Sequence, residues 1–181
     1  MRIISGKYRG RILKNPTDDN IVRPTTDKVK EAIFDSIQFL VHNAKFLDLF
    51  AGSGAIGIEA ISRGAREVVF VDISRKAIKI IEENLNLIKE TSRVINSDYK
   101  NAISLLKGKK FNIIFLDPPY AQNDAALILN LINECDILEN DGLIIYEHLK
   151  NIDINLSEDW EIIKTKLYGI VQVDTIKRRA V

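Results

Sequence analysis

Between residues 46 and 146 short apolar runs take turns with stretches of helical periodicity, and this alternation is the strongest constraint on the fold. Phe46 to Phe50 predicts a buried strand, Gly54 to about Arg63 a helix, and Val68 to Val71 a second strand. Ser74 then caps a helix whose Ala77, Ile78, Ile81, Leu85 and Ile88 share one face. Val94-Ile95 is a weak third strand, a short helix covers Ala102 to Leu106, and Phe111 to Leu116 is a fourth strand. Ala125 to Leu131 lies in a helix, and Gly142 to Tyr146 follows an Asn140-Asp141-Gly142 turn as a fifth strand. Strands joined through helices run parallel and need helices on both faces of their sheet. The tail reads differently, with strand-like segments at 160–168 and 170–176 joined at Tyr168-Gly169 as in an antiparallel hairpin. The expected class is therefore α/β.

With 181 residues, 28% of them charged and 46% apolar, the composition is that of a globular chain, and one domain over 1–181 is expected. No apolar run approaches the roughly 18 residues that would span a bilayer, and the first residues do not form a signal peptide, so no membrane role and a cytoplasmic location are expected. Cys135, the one cysteine, has no Cys or His at ligand spacing; a buried structural thiol is expected, and no metal. Net charge is only +1 but uneven. Residues 1–30 hold eight Lys/Arg against three Asp, and residues 164–181 hold five against Asp174, which leaves an acidic middle. Basic ends on an acidic body suit a local contact with a polyanion, although solvated lysines would look the same. Residues 1–24, with Gly6, Gly10, Pro16 and Pro24, predict a basic arm or hairpin. Pro24-Thr25-Thr26-Asp27 then enters a helix with a Thr as N-cap, Asp27 in its first turn, and Val29, Ala32, Ile33 and Ile37 on one face.

In such a sheet ligands bind beyond the carboxyl ends of the strands, and Asp48, Gly52, Asp72, Asp98 and Asp117 all fall at or just after those ends. Asp48-Leu49-Phe50-Ala51-Gly52-Ser53-Gly54-Ala55-Ile56-Gly57 carries a GxGxxG between strand and helix, a spacing that serves dinucleotides as well as S-adenosylmethionine. Asp72 can accept from ribose hydroxyls with either cofactor. Asp48 separates them, because an anionic pyrophosphate disfavours a nearby carboxylate whereas the ammonium and sulfonium of S-adenosylmethionine favour one. Asp98 could take the adenine amino group, with Ile73 or Tyr99 flanking the ring; Phe50, Ser53 and Gly54 complete the candidate cofactor residues. A helix or turn cap is the plain alternative for each aspartate.

Asp117-Pro118-Pro119-Tyr120 ends the fourth strand. An exocyclic base amine is a poor nucleophile because its lone pair is delocalised into the ring. The Asp117 carboxylate and the Pro118 carbonyl are two acceptors that could take both amine hydrogens, and proline brings no N–H to intrude. Acceptors aimed at a nitrogen gaining positive charge favour the transition state. Tyr120 could stack on the base. The motif does not distinguish adenine N6 from guanine N2. From other classes, a dinucleotide-dependent oxidoreductase and a non-catalytic RNA-binding module also stand. His42 and His148 are expected to be solvated or capping.

Arg2-Ile3-Ile4-Ser5-Gly6 with Arg9-Gly10, then Arg23-Pro24-Thr25-Thr26-Asp27-Lys28-Val29-Lys30-Glu31, the Asp48 to Gly57 loop and Asp117 to Tyr120 together make the chain resemble the bacterial RsmD-type family, which methylates a guanine N2 of 16S ribosomal RNA. The resemblance implies a Rossmann-like class I methyltransferase with a mostly parallel seven-stranded sheet, S-adenosylmethionine as cofactor, and 16S rRNA in an assembled small subunit as partner; a monomer is expected, although no residue pattern fixes the oligomeric state. It also implies an N-terminal hairpin facing RNA, so Lys7, Arg9, Arg11, Arg23 and Lys28 become candidate phosphate contacts.

Overall fold

The computed structural model describes residues 1–15, 26–119 and 124–180. Its helices are α1 (Asp27–Ser36), α2 (Gln38–Val41), α3 (Ala55–Ser62), α4 (Arg75–Ile88), α5 (Tyr99–Leu105) and α6 (Ala125–Glu134). Its strands are β1 (Lys45–Asp48), β2 (Glu67–Asp72), β3 (Arg93–Asn96), β4 (Phe111–Leu116), β5 (Leu138–Leu149), β6 (Trp160–Tyr168) and β7 (Val171–Arg178). They form one sheet in the order β3-β2-β1-β4-β5-β7-β6. β1 to β5 pair in parallel, and β7 inserts antiparallel between β5 and β6. The expected α/β class, seven strands and C-terminal hairpin are all present.

Parallel strands covered on both sides alternate between two cores. Phe46, Phe70, Ile113, Phe115 and Ile145 face Val29, Ile33 and Phe34 of α1, Ile56 of α3 and Ile81 of α4. Leu47, Val71, Ile114, Leu116 and Ile144 face Ile103 of α5 and Ile128 and Ile132 of α6. Burial on both faces explains why these strands read as continuous apolar runs. The helix entries follow their caps: Thr26 Oγ1 accepts from Val29 N at 3.3 Å, and Ser74 Oγ accepts from Ala77 N at 3.4 Å.

Two expectations change. The Asn140-Asp141-Gly142 turn lies inside β5, where the pairing steps from Phe111↔Leu138 to Ile113↔Leu143. The excursion re-enters the ladder it left, so local turn chemistry marks a bulge here and not a boundary. Cys135 is the half-buried C-cap of α6, because the helix runs on past Leu131 and turns this residue to its rim.

The N-terminal residues form a ribbon, with Arg2 bridged to Ile12 and Ile3 N donating to Arg11 O at 2.9 Å. Ile3, Tyr8 and Leu13 go into the α1/α3 core. Its anchor is ionic. Glu59 of α3, fully buried, accepts from Ile4 N (2.8 Å), Ser5 N (3.0 Å) and Arg63 Nε (2.9 Å), and lies 3.4 Å from Lys30 Nζ. Lys30 of α1, one of the eight basic residues of 1–30, is fully buried and also donates to Arg2 O at 2.6 Å. Burial lowers its pKa against the pull of Glu59 and Asp27. Removing one partner of a buried pair strands the other charge, so Glu59→Ala should cost about 3–5 kcal/mol in urea unfolding. A loss below about 1 kcal/mol would show that the anchor is not ionic.

Candidate active site

The parallel strands end at one edge, and strand order reverses between β1 and β4, where a crevice opens in sheets of this type. Asp48 closes β1, Asp72 closes β2, Asp98 follows β3, and Asp117 follows β4. The structure thus brings the four aspartates to one edge, as the spacing requires.

Asp48 is 1% exposed and points, like Phe46, toward α3. Its Oδ2 accepts from Gly57 N at 3.0 Å, while Oδ1 is buried without a hydrogen-bond partner. Burial pushes its carboxyl up to about 7, with the Gly57 N–H opposing and Asp72 adding to the rise. The short reach to Gly57 depends on that residue having no side chain, since a Cβ would sit 2.2 Å from Phe70 Cε1. Gly52 and Gly54 take left-handed backbone, with φ of 55° and 77°, to turn the loop between strand and helix.

Asp72 holds that loop. One oxygen accepts from Gly52 N at 2.9 Å and the other from Ser74 N at 2.8 Å, each keeping a second lone pair for a ligand. Ile73 beside it is 72% exposed. Asp98 does serve as a cap: its Oδ1 accepts from Asn101 N at 3.0 Å at the start of α5, and that bond leads in holding its carboxyl low. Tyr99 is buried, donates its hydroxyl to Asp124 at 2.8 Å, and packs tilted on Phe50 at 5.7 Å between centroids. Burial, then Asp124, pushes its phenol up to about 12.

Asp117 is raised well above the ordinary carboxylate range by burial, then by Glu147 and Asp48. Glu147 escaped the sequence reading. It is buried on β5, and since Leu116 pairs with Tyr146, the next step of the ladder sets Asp117 beside Glu147. Alternation puts Asp48, Asp117 and Glu147 on one face of three adjacent strands. A carboxylate at the end of the apolar run Leu143 to Tyr146 was the available signal. Pro118 is buried and Pro119 exposed; Tyr120 and Arg23 lie outside the described residues.

His148 is not solvated. Buried on β5, it meets Leu149 O through Nδ1 and Asp174 Oδ2 through Nε2, both at 2.9 Å, and stacks on Tyr146. Asp174 also accepts from Thr165 and Gln172, and with His148 these bonds outweigh burial to keep its carboxyl low. His42, exposed at the C-cap of α2, is as expected. The candidate RNA contacts separate into two places. Lys7 pairs with Glu90 at 3.1 Å and Arg11 donates to Leu87 O at 2.8 Å, both at the end of α4 that lies away from the crevice. Arg9 and Lys28 line a cleft of about 330 Å³ with Arg2, Asp27 and Glu31.

A family model described as Conserved hypothetical protein 95 matches residues 1–177. Ribosomal RNA small subunit methyltransferase D of Escherichia coli (strain K12) is 36% identical over 99% of this chain and 91% of its own length. The chain belongs to the RsmD-type family. YlbH of Bacillus subtilis (strain 168), provisionally named an rRNA methyltransferase, is 40% identical over 99% of this chain and 100% of its own. The solved structure of yhhF from Escherichia coli, provisionally named a methyltransferase, superposes with a TM-score of 0.89 at 33% identity, covering 100% of this chain and 99% of that one.

A carboxyl raised on folding binds its proton more tightly in the native state, so it withdraws stability as pH rises from its unfolded to its folded value. The free RsmD-type protein should therefore lose stability from about pH 4 to about pH 7 as Asp48 is forced to ionise. Asp48→Asn should flatten part of that slope in urea titrations across the range. An unchanged slope would show that Asp48 is not the group responsible.

Proposed function

We propose that this chain is an S-adenosylmethionine-dependent rRNA methyltransferase that methylates the exocyclic N2 amine of a guanine in 16S ribosomal RNA, presented in the small subunit. The observation that carries the reading is Asp117 with Pro118 at the end of β4, next to β1 and Asp48 at the point where strand order reverses.

The residues fit the cofactor. The orphaned, buried Asp48 Oδ1 beside the glycine loop calls for a cation, which a dinucleotide pyrophosphate would not supply. When bound, S-adenosylmethionine supplies a methyl group on a sulfonium, open to in-line attack. Asp72 accepts from the ribose with the lone pairs that Gly52 and Ser74 leave, and Phe50, Ile73, Asp98 and Tyr99 bound the adenine side.

Asp117 and the Pro118 carbonyl accept the two amine hydrogens of the target base. The forces that raise Asp117 also make its ionised form a stronger acceptor, which favours the nitrogen as it gains positive charge. Positioning supplies the remaining catalysis, and a base in a duplex must first leave the stack. Tyr120 stacks on that base, and Arg9, Lys28 and Arg23 hold phosphates. The names of the relatives support rRNA as the substrate class.

Incubation with labelled S-adenosylmethionine and small subunits lacking the modification should yield N2-methylguanosine by nucleoside mass spectrometry; N6-methyladenosine, or no label, would overturn the assignment. Asp117→Ala should abolish transfer and leave S-adenosylhomocysteine binding within about threefold, whereas Asp72→Ala should weaken that binding by roughly tenfold or more, the loss of one or two charge-assisted hydrogen bonds. Binding should also tighten as pH rises through about 7 and Asp48 ionises, a dependence that Asp48→Asn removes.

A further inference from the structure

Asn84 lies in the middle of α4, fully buried, and uses every polar atom of its side chain on two distant segments. Its Oδ1 accepts from Lys14 N at 2.8 Å, and its Nδ2 donates to Lys14 O at 3.0 Å, so the amide pairs with the arm as a neighbouring strand would. The second Nδ2 hydrogen goes to Ser53 O at 3.0 Å. Ser53 is the middle residue of the left-handed Gly52-Ser53-Gly54 turn, which Asp72 grips from its other side. The other hydrogen-bonded anchors of the described ribbon, among them Glu59, Ser62, Lys30, Glu83 and Glu90, make no hydrogen bond to that turn. Among the described hydrogen bonds, those of Asn84 are the ones that join the arm to the cofactor loop.

We propose that Asn84 is a positioning residue that couples cofactor binding to the seating of the N-terminal ribbon at Lys14. A buried amide cannot release one partner without leaving it unsatisfied, so fixing the Ser53 carbonyl fixes the amide plane and with it Lys14. In sequence, Lys14 leads directly to the segment that carries Arg23 and Lys28. A filled glycine loop therefore holds Lys14 in place, and RNA on the ribbon returns the effect to the loop, since binding linkage is reciprocal. The RNA half of the link rests on the function proposed above; the arm half does not.

Hydrogen exchange on the whole protein tests the link, with S-adenosylhomocysteine as probe. Saturating ligand should slow exchange at Lys14 about three- to tenfold, the worth of one hydrogen bond. In Asn84→Asp, which keeps the acceptor and loses both donors, ligand should still bind while Lys14 no longer responds. An Asn84 that merely supports the fold would lower the unfolding temperature of the variant and leave the response intact. Calorimetric binding without slowing at Lys14 in the unsubstituted protein overturns the link alone, whereas no binding overturns the cofactor reading with it. If Asn84→Asp does not fold, Lys14→Pro removes the arm's donor from outside the core. It should leave affinity for S-adenosylhomocysteine within twofold and abolish the gain in that affinity caused by small subunits; a retained gain refutes the proposal.

Discussion

The seating of α3 on the sheet at Gly57 is the contact on which the rest of the molecule depends. With no Cβ, Gly57 lets the ring of Phe70 lie against the helix backbone, and that approach brings its N–H to Asp48. The bond aims one carboxylate oxygen and leaves the other buried without a partner. The same seating sets where the loop before α3 must turn, and hence where Gly52 meets Asp72 and Ser53 meets Asn84. The opposite end of α3 carries Glu59 and Ser62, which receive the N-terminal ribbon. One helix thus sets the depth of the crevice and the place of the arm.

The charges divide along the same line. Toward the crevice, carboxylates stand on adjacent strands, and burial first, then the neighbouring carboxylates, raise Asp48 and Asp117. Such an arrangement weakens the free protein and suits a cationic ligand and an amine that becomes cationic. Away from it, the charges are paired: Lys30 with Glu59, His148 with Asp174, Lys7 with Glu90. These pairs hold ribbon, hairpin and helix ends in place.

Most of the crevice was legible because its residues follow strand ends, where apolar runs stop and short polar motifs begin. Asp48, Asp72, Asp98 and Asp117 could be placed on one edge from spacing alone. Glu147 could not, because its neighbour Asp117 is far away in sequence and meets it only through the β4–β5 register. The burial of Lys30 and of His148 was not legible for a related reason. A basic side chain in a polar-looking stretch carries no mark of burial, and its partner, Glu59 or Asp174, lies on another element. Asn84 lies in an amphipathic helix, and its partners Lys14 and Ser53 are both distant in sequence.

By itself, then, the sequence determined the α/β class, the parallel strands, the caps, the glycine turn and the place of Asp117 and Pro118 at the end of β4. All of these follow from periodicity or from chemistry within a few residues of one another. The tertiary structure decided which lysines of the basic arm face outward, which carboxylates share a face, and what ties the arm to the glycine loop. Those outcomes depend on register and helix seating, where a shift of one residue sends a side chain to the other face of the sheet.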